Sequence, residues 1–259
     1  MAKVRLDQLL VQRGLCETRA KAQARILAGE VLVDDRPVTK AGTAVAEEAP
    51  IRLRGEPLPF VSRGGLKLAG ALDRWGIDPT GLVCFDAGSS TGGFTDCLLQ
   101  RGAAKVYAVD VGTNQLHWKL RSDPRVISME QVNLRTWEAA AIPERCSLLV
   151  ADLSFISLRL AIPPVLPSLL PEAEAVLLVK PQFEAGREDV GAGGIVRDPA
   201  VHRRVLVDTW SFFAGTDLRP LDLALSPIKG GEGNSEFLLR LGLGAEPGSL
   251  GAALEGLGL

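Results

Sequence analysis

A glycine-rich turn between an apolar run and a helix-like run constrains this chain more than any other feature. The apolar run, residues 83–85, leads into Asp86, and the turn that follows contains Gly88, Gly92 and Gly93. Residues 94–100 then read as the start of a helix. A strand, a glycine-rich loop and a helix N-terminus in this order build the nucleotide-type cofactor sites of α/β sheets. The sequence therefore predicts such a site, with a plain structural turn as the alternative.

The spacing within the turn separates several kinds of site. Ser90 stands where the dinucleotide pattern G-x-G-x-x-G requires glycine, and the looser form D-x-G-x-x-x-G-G of S-adenosylmethionine (SAM) sites fits better. Gly88 can adopt backbone angles that a side chain forbids, and Gly92 and Gly93 are expected to let a ligand approach the main chain. Residues 88–92 also match the G-x-S-x-G elbow of α/β-hydrolases, with His202 downstream, but that elbow normally follows several earlier strands. A hydrolase is therefore disfavoured.

Further apolar runs alternate with helix-like segments, as expected for a mostly parallel sheet that is buried on both faces. Strands are predicted at residues 82–85, 105–110, 125–129, 147–152, 175–180, 222–225 and 237–241, and helices from 62 to about 75 and over 199–213. Three of these strands end on Asp110, Asp152 and Lys180. Because ligands bind outside the carboxyl ends of strands in open α/β sheets, these side chains indicate a site.

The three strand-end residues predict different chemistry. Asp110 lies 24 residues after Asp86, near the spacing at which a carboxylate binds ribose hydroxyls in Rossmann-like sites. Lys180 ends a strongly apolar strand, where a lysine can act as a base. A structural ion pair between Lys180 and Asp152 is the alternative, and the sequence leaves both interpretations open.

Residues 1–60 form a separate predicted module. Thr18 is a plausible N-cap for a helix over 19–28, and short strands are expected at 31–33, 37–38 and 51–53, with a turn at Asp34 and Asp35. Pro57 and Pro59 mark a linker to about residue 62. Residues 1–40 carry eight basic and five acidic side chains, a local net charge of +3 against −2 for the whole chain. Any nucleic-acid surface must therefore be local, and an ordinary solvated face is the alternative.

Composition excludes several classes of protein. The four cysteines show no C-x-x-C pair, which argues against zinc and disulfide frameworks and suits a reducing cytoplasm. No signal peptide is recognised at the start, and no run of about 18 apolar residues predicts a membrane span. A cytoplasmic protein is expected. Amino-directed base methylation is disfavoured because Asp-Leu-Ser-Phe at 152–155 replaces the usual [DN]-P-P-[YF] motif.

Residues 3–50 resemble the S4 RNA-binding domain in the order of their elements. The resemblance implies that a helical pair presents basic residues to structured RNA, read by shape and phosphate rather than sequence. The residues expected to bind RNA are Arg5, Arg19, Lys21, Arg25 and, after the linker, Arg63.

Four separated motifs then resemble the TlyA family, a group of S4-containing, FtsJ-like methyltransferases that methylate ribosomal RNA at the 2′-oxygen of cytidine. The motifs are Asp86–Asp96, Asp152–Ser157, Val179–Glu184 and Gly233–Phe237. The resemblance implies a Rossmann-like SAM-dependent methyltransferase fold, with a mostly parallel seven-stranded sheet, over residues 63–242, and a tail over 243–259. Some members carry the name haemolysin, but no amphipathic basic helix supports membrane lysis here. A non-catalytic RNA-binding factor is the further alternative.

The resemblance also assigns roles to residues. Lys67, Asp152, Lys180 and Glu236 would form a tetrad around the target ribose, without a metal. The SAM-binding residues would be Asp86, Gly88, Ser90, Gly92, Gly93, Phe94, Asp110 and, more weakly, Asn133. Four glycines in residues 186–194 suggest a mobile flap, with a plain surface loop as the alternative.

Overall fold

The computed structural model describes residues 3–34, 36–49, 51–54, 58–230 and 233–259. The chain divides into two compact units, Met1–Leu58 and Pro59–Leu259. Asp35 of the expected turn and Pro57 of the expected linker lie outside the described residues.

The N-terminal unit pairs two helices with two small sheets. Its elements are β1 (Lys3–Arg5), α1 (Leu6–Gln12), α2 (Arg19–Leu27), β2 (Val31–Val33), β3 (Arg36–Pro37), β4 (Ala44–Ala46) and β5 (Ile51–Leu53). Thr18 caps α2 by accepting a hydrogen bond from the Lys21 amide at 3.2 Å, which confirms the predicted helix start. The antiparallel pair of β1 and β4 was not predicted, because strands of three residues are too short to show alternation. Leu6, Leu10 and Ile26 are fully buried between these elements.

The C-terminal unit alternates strands and helices. Its elements are α3 (Gly64–Trp75), β6 (Val83–Ala87), α4 (Gly93–Gln100), β7 (Lys105–Val109), α5 (Trp118–Arg121), β8 (Val126–Met129), β9 (Cys146–Ala151), α6 (Leu158–Ala161), β10 (Leu169–Val179), α7 (Pro181–Glu184), α8 (Pro199–Ala214), β11 (Leu218–Leu225), β12 (Phe237–Leu243) and α9 (Leu250–Leu257). Short 3₁₀ helices lie at Leu134–Thr136, Ala139–Ala141, Pro163–Ser168 and Arg187–Asp189.

Seven strands of this unit form one sheet in the order β11-β12-β10-β9-β6-β7-β8. The five strands from β10 to β8 run parallel, and β12 is antiparallel to both β10 and β11. The predicted fold class, a mostly parallel seven-stranded α/β sheet, is therefore confirmed. Because β6, β7, β9 and β10 are parallel, the loops that follow them meet at one edge of the sheet.

Apolar side chains cover both faces of the sheet, as the uniformly apolar strands predicted. Leu72 of α3 and Leu98 of α4 pack on one face, and Leu206 and Phe213 of α8 pack on the other. A strand with two buried faces is held at a fixed height and tilt. The residues at its carboxyl end are therefore held rigidly, which is what a site needs.

Two parts of this unit differ from the sequence-based expectation. β10 begins at Leu169, six residues earlier than expected, with an irregular register between Leu169 and Glu174. The expected tail contains α9, whose Ser249 cap accepts a hydrogen bond from the Ala252 amide at 3.3 Å and whose Leu254 is buried. Three glycines at 251, 256 and 258 conceal this helix in the sequence because glycine is a poor helix former.

Candidate active site

A cavity of 540 Å³ opens at the carboxyl edge of the parallel strands. Residues that follow β6, β7 and β9 line it, together with the segment after β8. Its predicted members are Gly88, Ser90, Asp110, Asn133 and Asp152. The structure thus brings together side chains that lie up to 64 residues apart in the sequence.

The first turn of this site depends on Gly88 and Ser90. Gly88 has a φ of 81°, and a Cβ on it would lie 2.9 Å from the carbonyl oxygen of Asp152. Ser90 also has a positive φ, of 47°, and its amide donates to Asp110 Oδ2 at 2.7 Å. The turn is therefore packed against the end of β9 and tied to the end of β7, which fixes the floor of the cavity.

Gly92, Gly93 and Phe94 serve packing within the fold. A Cβ on Gly92 would lie 2.8 Å from Leu116 Cδ1, and one on Gly93 would lie 2.9 Å from the amide nitrogen of Gly65. Phe94 is 3% exposed and belongs to the core. None of the three is among the described residues that line the cavity. The close approach of α3, α4 and α5 explains why two of these residues are glycines and why Phe94 is apolar. Their contact with a cofactor stays a prediction.

Asp86 is a fully buried carboxyl group beneath the turn. Thr95 donates its hydroxyl to Oδ2 at 2.6 Å, whereas the equally buried Oδ1 has no hydrogen-bond partner among the described residues. Burial raises the pKa of Asp86 to about 7, against the lowering effect of the Thr95 hydrogen bond. A buried carboxyl oxygen without a partner is energetically costly, and a cationic or hydrogen-bond-donating group beside it would remove that cost.

Asp110 and Asn133 line the cavity from the segments that follow β7 and β8. Asp110 accepts from the amides of Ser90 and Gly112, both at 2.7 Å, so its carboxylate is held against the cavity wall. The Asn133 side chain caps the following 3₁₀ turn by accepting from the Arg135 amide at 3.0 Å. Both groups are positioned by backbone hydrogen bonds, and both face the space beyond the end of β7.

Four charged residues meet next to this cavity, each from a different part of the chain. Lys67 Nζ lies 2.6 Å from Glu236 Oε2 and 3.9 Å from Asp152 Oδ2. Lys180 Nζ lies 2.7 Å from Asp152 Oδ1 and donates to Ser154 Oγ at 2.9 Å. These residues, which we call the tetrad, form a continuous chain of alternating charge.

The tetrad is largely removed from water. Glu236 is 2% exposed, Lys67 8% and Lys180 9%. Two positive and two negative charges balance within it, which makes their joint burial tolerable. Asp152 lies at both the cavity and the tetrad, so the two lysines are brought to the border of the cavity.

The position of Lys67 follows from the glycines that precede it. A Cβ on Gly64 would lie 3.7 Å from Asp152 Oδ2, and one on Gly65 would lie 2.6 Å from Phe60 Cβ. The contact at Gly64 is an ordinary one, whereas Gly65 has no room for a side chain beside Phe60, so the start of α3 lies close to Phe60 and to the end of β9. Lys67, one turn later, then reaches the tetrad.

The loop after β9 contains features that sequence reasoning missed. Phe155 is 91% exposed with a φ of 65°, and its ring centroid lies 5.0 Å from that of Phe183. Phe183 in turn lies 5.8 Å from Lys180 Nζ. The sequence showed Phe155 inside a motif, but an apolar residue gives no sign of being exposed until its loop is placed.

Glu184 was also missed, and it fastens this loop to the segment after β10. Its carboxylate accepts from the Ser157 hydroxyl at 2.6 Å and from the Leu158 amide at 2.7 Å. Burial raises the pKa of Glu184, while the Ser157 hydrogen bond opposes that shift. Glu184 therefore connects the loop that follows Asp152 to the segment that begins with Lys180.

The predicted flap has a defined structure. Gly191 and Ile195 form a β-bridge, and the buried Asn234 donates to the Gly194 carbonyl at 2.9 Å and accepts from the Val196 amide at 3.0 Å. These bonds anchor one end of the segment two residues before Glu236. Whether the segment moves over the site stays a prediction.

The cations expected to bind RNA each have a defined place. In the N-terminal unit, Arg5 and Arg19 both contact Asp7, Lys21 pairs with Glu17, and Arg25 lies 3.6 Å from Glu30. In the C-terminal unit, Arg63 is exposed and precedes α3. Their contact with RNA stays a prediction.

Several alternative sites find no support in the described residues. His202 is 8% exposed in α8, and its Nε2 lies 2.9 Å from the Val196 carbonyl oxygen, so it is not placed to activate Ser90. Across the described ranges, no group of three or more His, Cys, Asp or Glu side chains is placed to hold a metal ion. No helix in the described part of the chain is long and apolar enough to cross a membrane.

Comparison with known proteins matches both units. Residues 60–243 match the FtsJ-like methyltransferase model and residues 4–51 match the S4 domain. YqxC of Bacillus subtilis, described as a candidate rRNA methyltransferase, is 51% identical over 243 residues, which cover 92% of this chain and 85% of that protein. The 16S/23S rRNA (cytidine-2′-O)-methyltransferase TlyA of Mycobacterium tuberculosis is 43% identical over 240 residues, 92% of this chain and 90% of that protein. A solved structure from Streptococcus thermophilus, described as a candidate hemolysin, has a TM-score of 0.75 at 44% identity, and the match covers 96% of this chain and 92% of that chain.

Proposed function

Because this chain belongs to the FtsJ-like methyltransferase family and carries an S4 domain, we propose that it methylates the 2′-oxygen of a cytidine in ribosomal RNA, with SAM as methyl donor, in the cytoplasm. The matches to both family models and to the M. tuberculosis relative confirm the family resemblance that the motifs indicated. The observation that carries the proposal is the tetrad at the carboxyl edge of the sheet. The name of the M. tuberculosis relative supports ribose rather than base as the target.

The cavity fits SAM in size and chemistry. Its 540 Å³ lies within the roughly 300–1,000 Å³ of typical small-molecule sites. Asp110 lines the cavity and suits the ribose hydroxyls. Asn133, which also lines the cavity, would bind the adenine. Asp86 is not among the described residues that line the cavity, and we propose that its unpartnered Oδ1 serves the positively charged methionine end. When bound, SAM supplies an electrophilic methyl group on a sulfonium.

The tetrad would act on the ribose hydroxyl. A 2′-hydroxyl is a poor nucleophile. It would lose its proton as its oxygen bonds to the methyl carbon, while the carbon–sulfur bond of the sulfonium would break and leave a neutral thioether. Lys180 Nζ either takes that proton as a neutral amine or stabilises the forming alkoxide as an ammonium group. Lys67 adds positive potential and orients the hydroxyl, and the carboxylates of Asp152 and Glu236 fix the two ammonium groups.

Two further features support an RNA substrate. The exposed ring of Phe155 next to Ser154 can stack on an unpaired base, since aromatic side chains bind splayed-out bases of RNA in this way. The basic side chains expected to bind RNA would contact its phosphates, so the S4 unit would supply affinity rather than sequence discrimination. These side chains are Arg5, Arg19, Lys21, Arg25 and Arg63. Ribosomal RNA or ribosomal subunits are the proposed partners.

The proposal is tested by transfer of labelled methyl from SAM to isolated unmodified ribosomal subunits. Lys180→Ala should abolish transfer while SAM binding persists. Lys105→Ala is a matched control, because Lys105 begins β7 at the opposite edge of the sheet and the same charge is lost. Absence of label on either subunit, with SAM binding intact, would refute the substrate and favour a non-catalytic RNA-binding factor.

A further inference from the structure

One buried carboxylate organises two arginines of the N-terminal unit. Asp7, in the first turn of α1, has a fully buried side chain. Arg5 donates to it from Nε at 3.0 Å and from Nη2 at 3.1 Å, and Arg19 of α2 donates from Nε at 2.9 Å. Gln23 adds a fourth hydrogen bond at 2.8 Å. The Asp7 carboxylate thus accepts more hydrogen bonds than one carboxylate accepts in an ordinary surface ion pair.

The arrangement leaves both guanidinium groups able to bind an anion. A guanidinium has five N–H donors, of which Asp7 uses two from Arg5 and one from Arg19. The two arginine side chains are 46% and 50% exposed. The Arg5 hydrogen bonds hold the pKa of Asp7 well below its usual range, so the carboxylate stays ionised as an anchor. It is shielded from any ligand because it has no exposed surface.

We propose that Asp7 is a positioning residue that sets Arg5 and Arg19 side by side as one phosphate-binding surface for the backbone of structured RNA. This inference rests on the proposed function, since it assumes an RNA substrate. Arginine side chains lose much rotational freedom on binding, and an anchor that fixes them beforehand reduces that cost. Phosphate contacts of this kind orient a protein on RNA without reading its sequence.

The inference predicts an effect opposite in sign to simple electrostatics. Asp7→Asn removes a negative charge from a surface that binds a polyanion, so Coulomb attraction alone predicts tighter binding. If Asp7 acts by fixing the two arginines, the same substitution must weaken binding. Glu17→Gln is the matched control: it makes the same charge change on the same unit, but Glu17 is 80% exposed and, among the described residues, pairs with Lys21 alone.

The experiment measures binding of the full-length protein to the ribosomal subunit that accepts methyl, over a range of salt concentrations. We expect Asp7→Asn to weaken binding about tenfold and to lower the salt dependence by about one to two released ions. Glu17→Gln should bind as tightly as the unmodified protein or more tightly. In methyl transfer, Asp7→Asn should raise KM for the subunit more than it lowers kcat.

A mutant cycle separates positioning from general damage to the fold. Arg5→Gln/Arg19→Gln should weaken binding, and adding Asp7→Asn to that pair should cause no further loss. Equal or tighter binding by Asp7→Asn, or a further loss in the triple variant, would overturn the inference. If Asp7→Asn unfolds the N-terminal unit, Arg19→Lys decides: it keeps the charge but loses the Nε–H bond, and unchanged binding would contradict the role of Asp7. Failure of the unmodified protein to bind the subunit would instead refute the proposed function.

Discussion

Gly230→Ala should damage catalysis although it replaces no residue of the tetrad. Gly230 is buried, and a Cβ on it would lie 2.5 Å from Glu236 Cδ, within the volume of that carboxylate. Ordinary Cβ contacts begin at about 3.4 Å and Oε1 of Glu236 lies closer still than Cδ, so the carboxylate or its surroundings must move by more than about 0.9 Å. That displacement is large against the 2.6 Å separation of Lys67 Nζ and Glu236 Oε2.

The size of the effect follows from how catalysis depends on position. A misplacement of about 1 Å can cost on the order of 100-fold in rate, equivalent to about 2.7 kcal/mol in the barrier. Overpacking of a buried site costs about 1–3 kcal/mol of stability as well. We therefore expect single-turnover methyl transfer by Gly230→Ala to slow by about 10- to 100-fold, with the melting temperature lowered and SAM affinity unchanged.

A second glycine of the same segment provides the control. Gly233 has a φ of 86°, and no atom of the described residues lies within 4 Å of the place where its Cβ would be, so Gly233→Ala adds backbone strain of about 1 kcal/mol without a clash against them. It should be destabilised but nearly fully active once saturated with substrate at low temperature. A Gly230→Ala rate within twofold of the unmodified protein would refute the reasoning that this glycine fixes Glu236.

Three further predictions concern the cavity and its rim. Since the pKa of Asp86 is raised to about 7, its carboxyl group is increasingly protonated below pH 7 and loses the charge proposed to attract the methionine end of SAM. Titration calorimetry should therefore show SAM affinity falling by up to about tenfold per pH unit below pH 7. Asp86→Asn should remove this pH dependence. Glu184→Ala removes the hydrogen bonds to Ser157 and Leu158 and should lower kcat by about tenfold or more while SAM affinity is kept. Glu184→Gln retains an acceptor and should recover part of the lost rate. Equal rates for the two variants would contradict the role of Glu184 in holding the loop. Phe155→Ala should raise KM for the ribosomal subunit by about 5- to 100-fold, from the ~1–3 kcal/mol of a base–aromatic stack, and Phe155→Trp should restore most of it; an unchanged KM would exclude stacking.

The architecture was predictable because apolar runs and strand-end charges are local signals. Asp110, Asp152 and Lys180 were identified as ends of parallel strands, and the parallel arrangement then places them at one edge of the sheet. The same logic cannot locate Lys67 or Glu236, since neither follows a parallel strand. Only the resemblance to a family, based on separated motifs, linked these two residues to the others before the structure showed them in contact.

Interactions between distant segments account for what the sequence did not show. The ligand contact expected at the glycines at 92 and 93 stays a prediction, but the sequence did not show that the side chains of α5 and the backbone of α3 pack beside them. Glu184 ended a family motif, but its role did not show in the sequence because its partners lie 26 and 27 residues earlier. Asp7 likewise gains its importance from Arg19 and Gln23 on another helix.

The most direct test of the central claim is the position of the transferred methyl group on the RNA. Subunits labelled by the unmodified protein and by the Lys180→Ala and Lys105→Ala variants are extracted, and their RNA is hydrolysed with alkali. A 2′-O-methyl group blocks cleavage at the adjacent phosphate, so label should appear in alkali-resistant dinucleotides that contain methylated cytidine. Lys105→Ala should give this product and Lys180→Ala should not. Label in mononucleotides would place the methyl group on a base and contradict a tetrad that acts on the ribose hydroxyl.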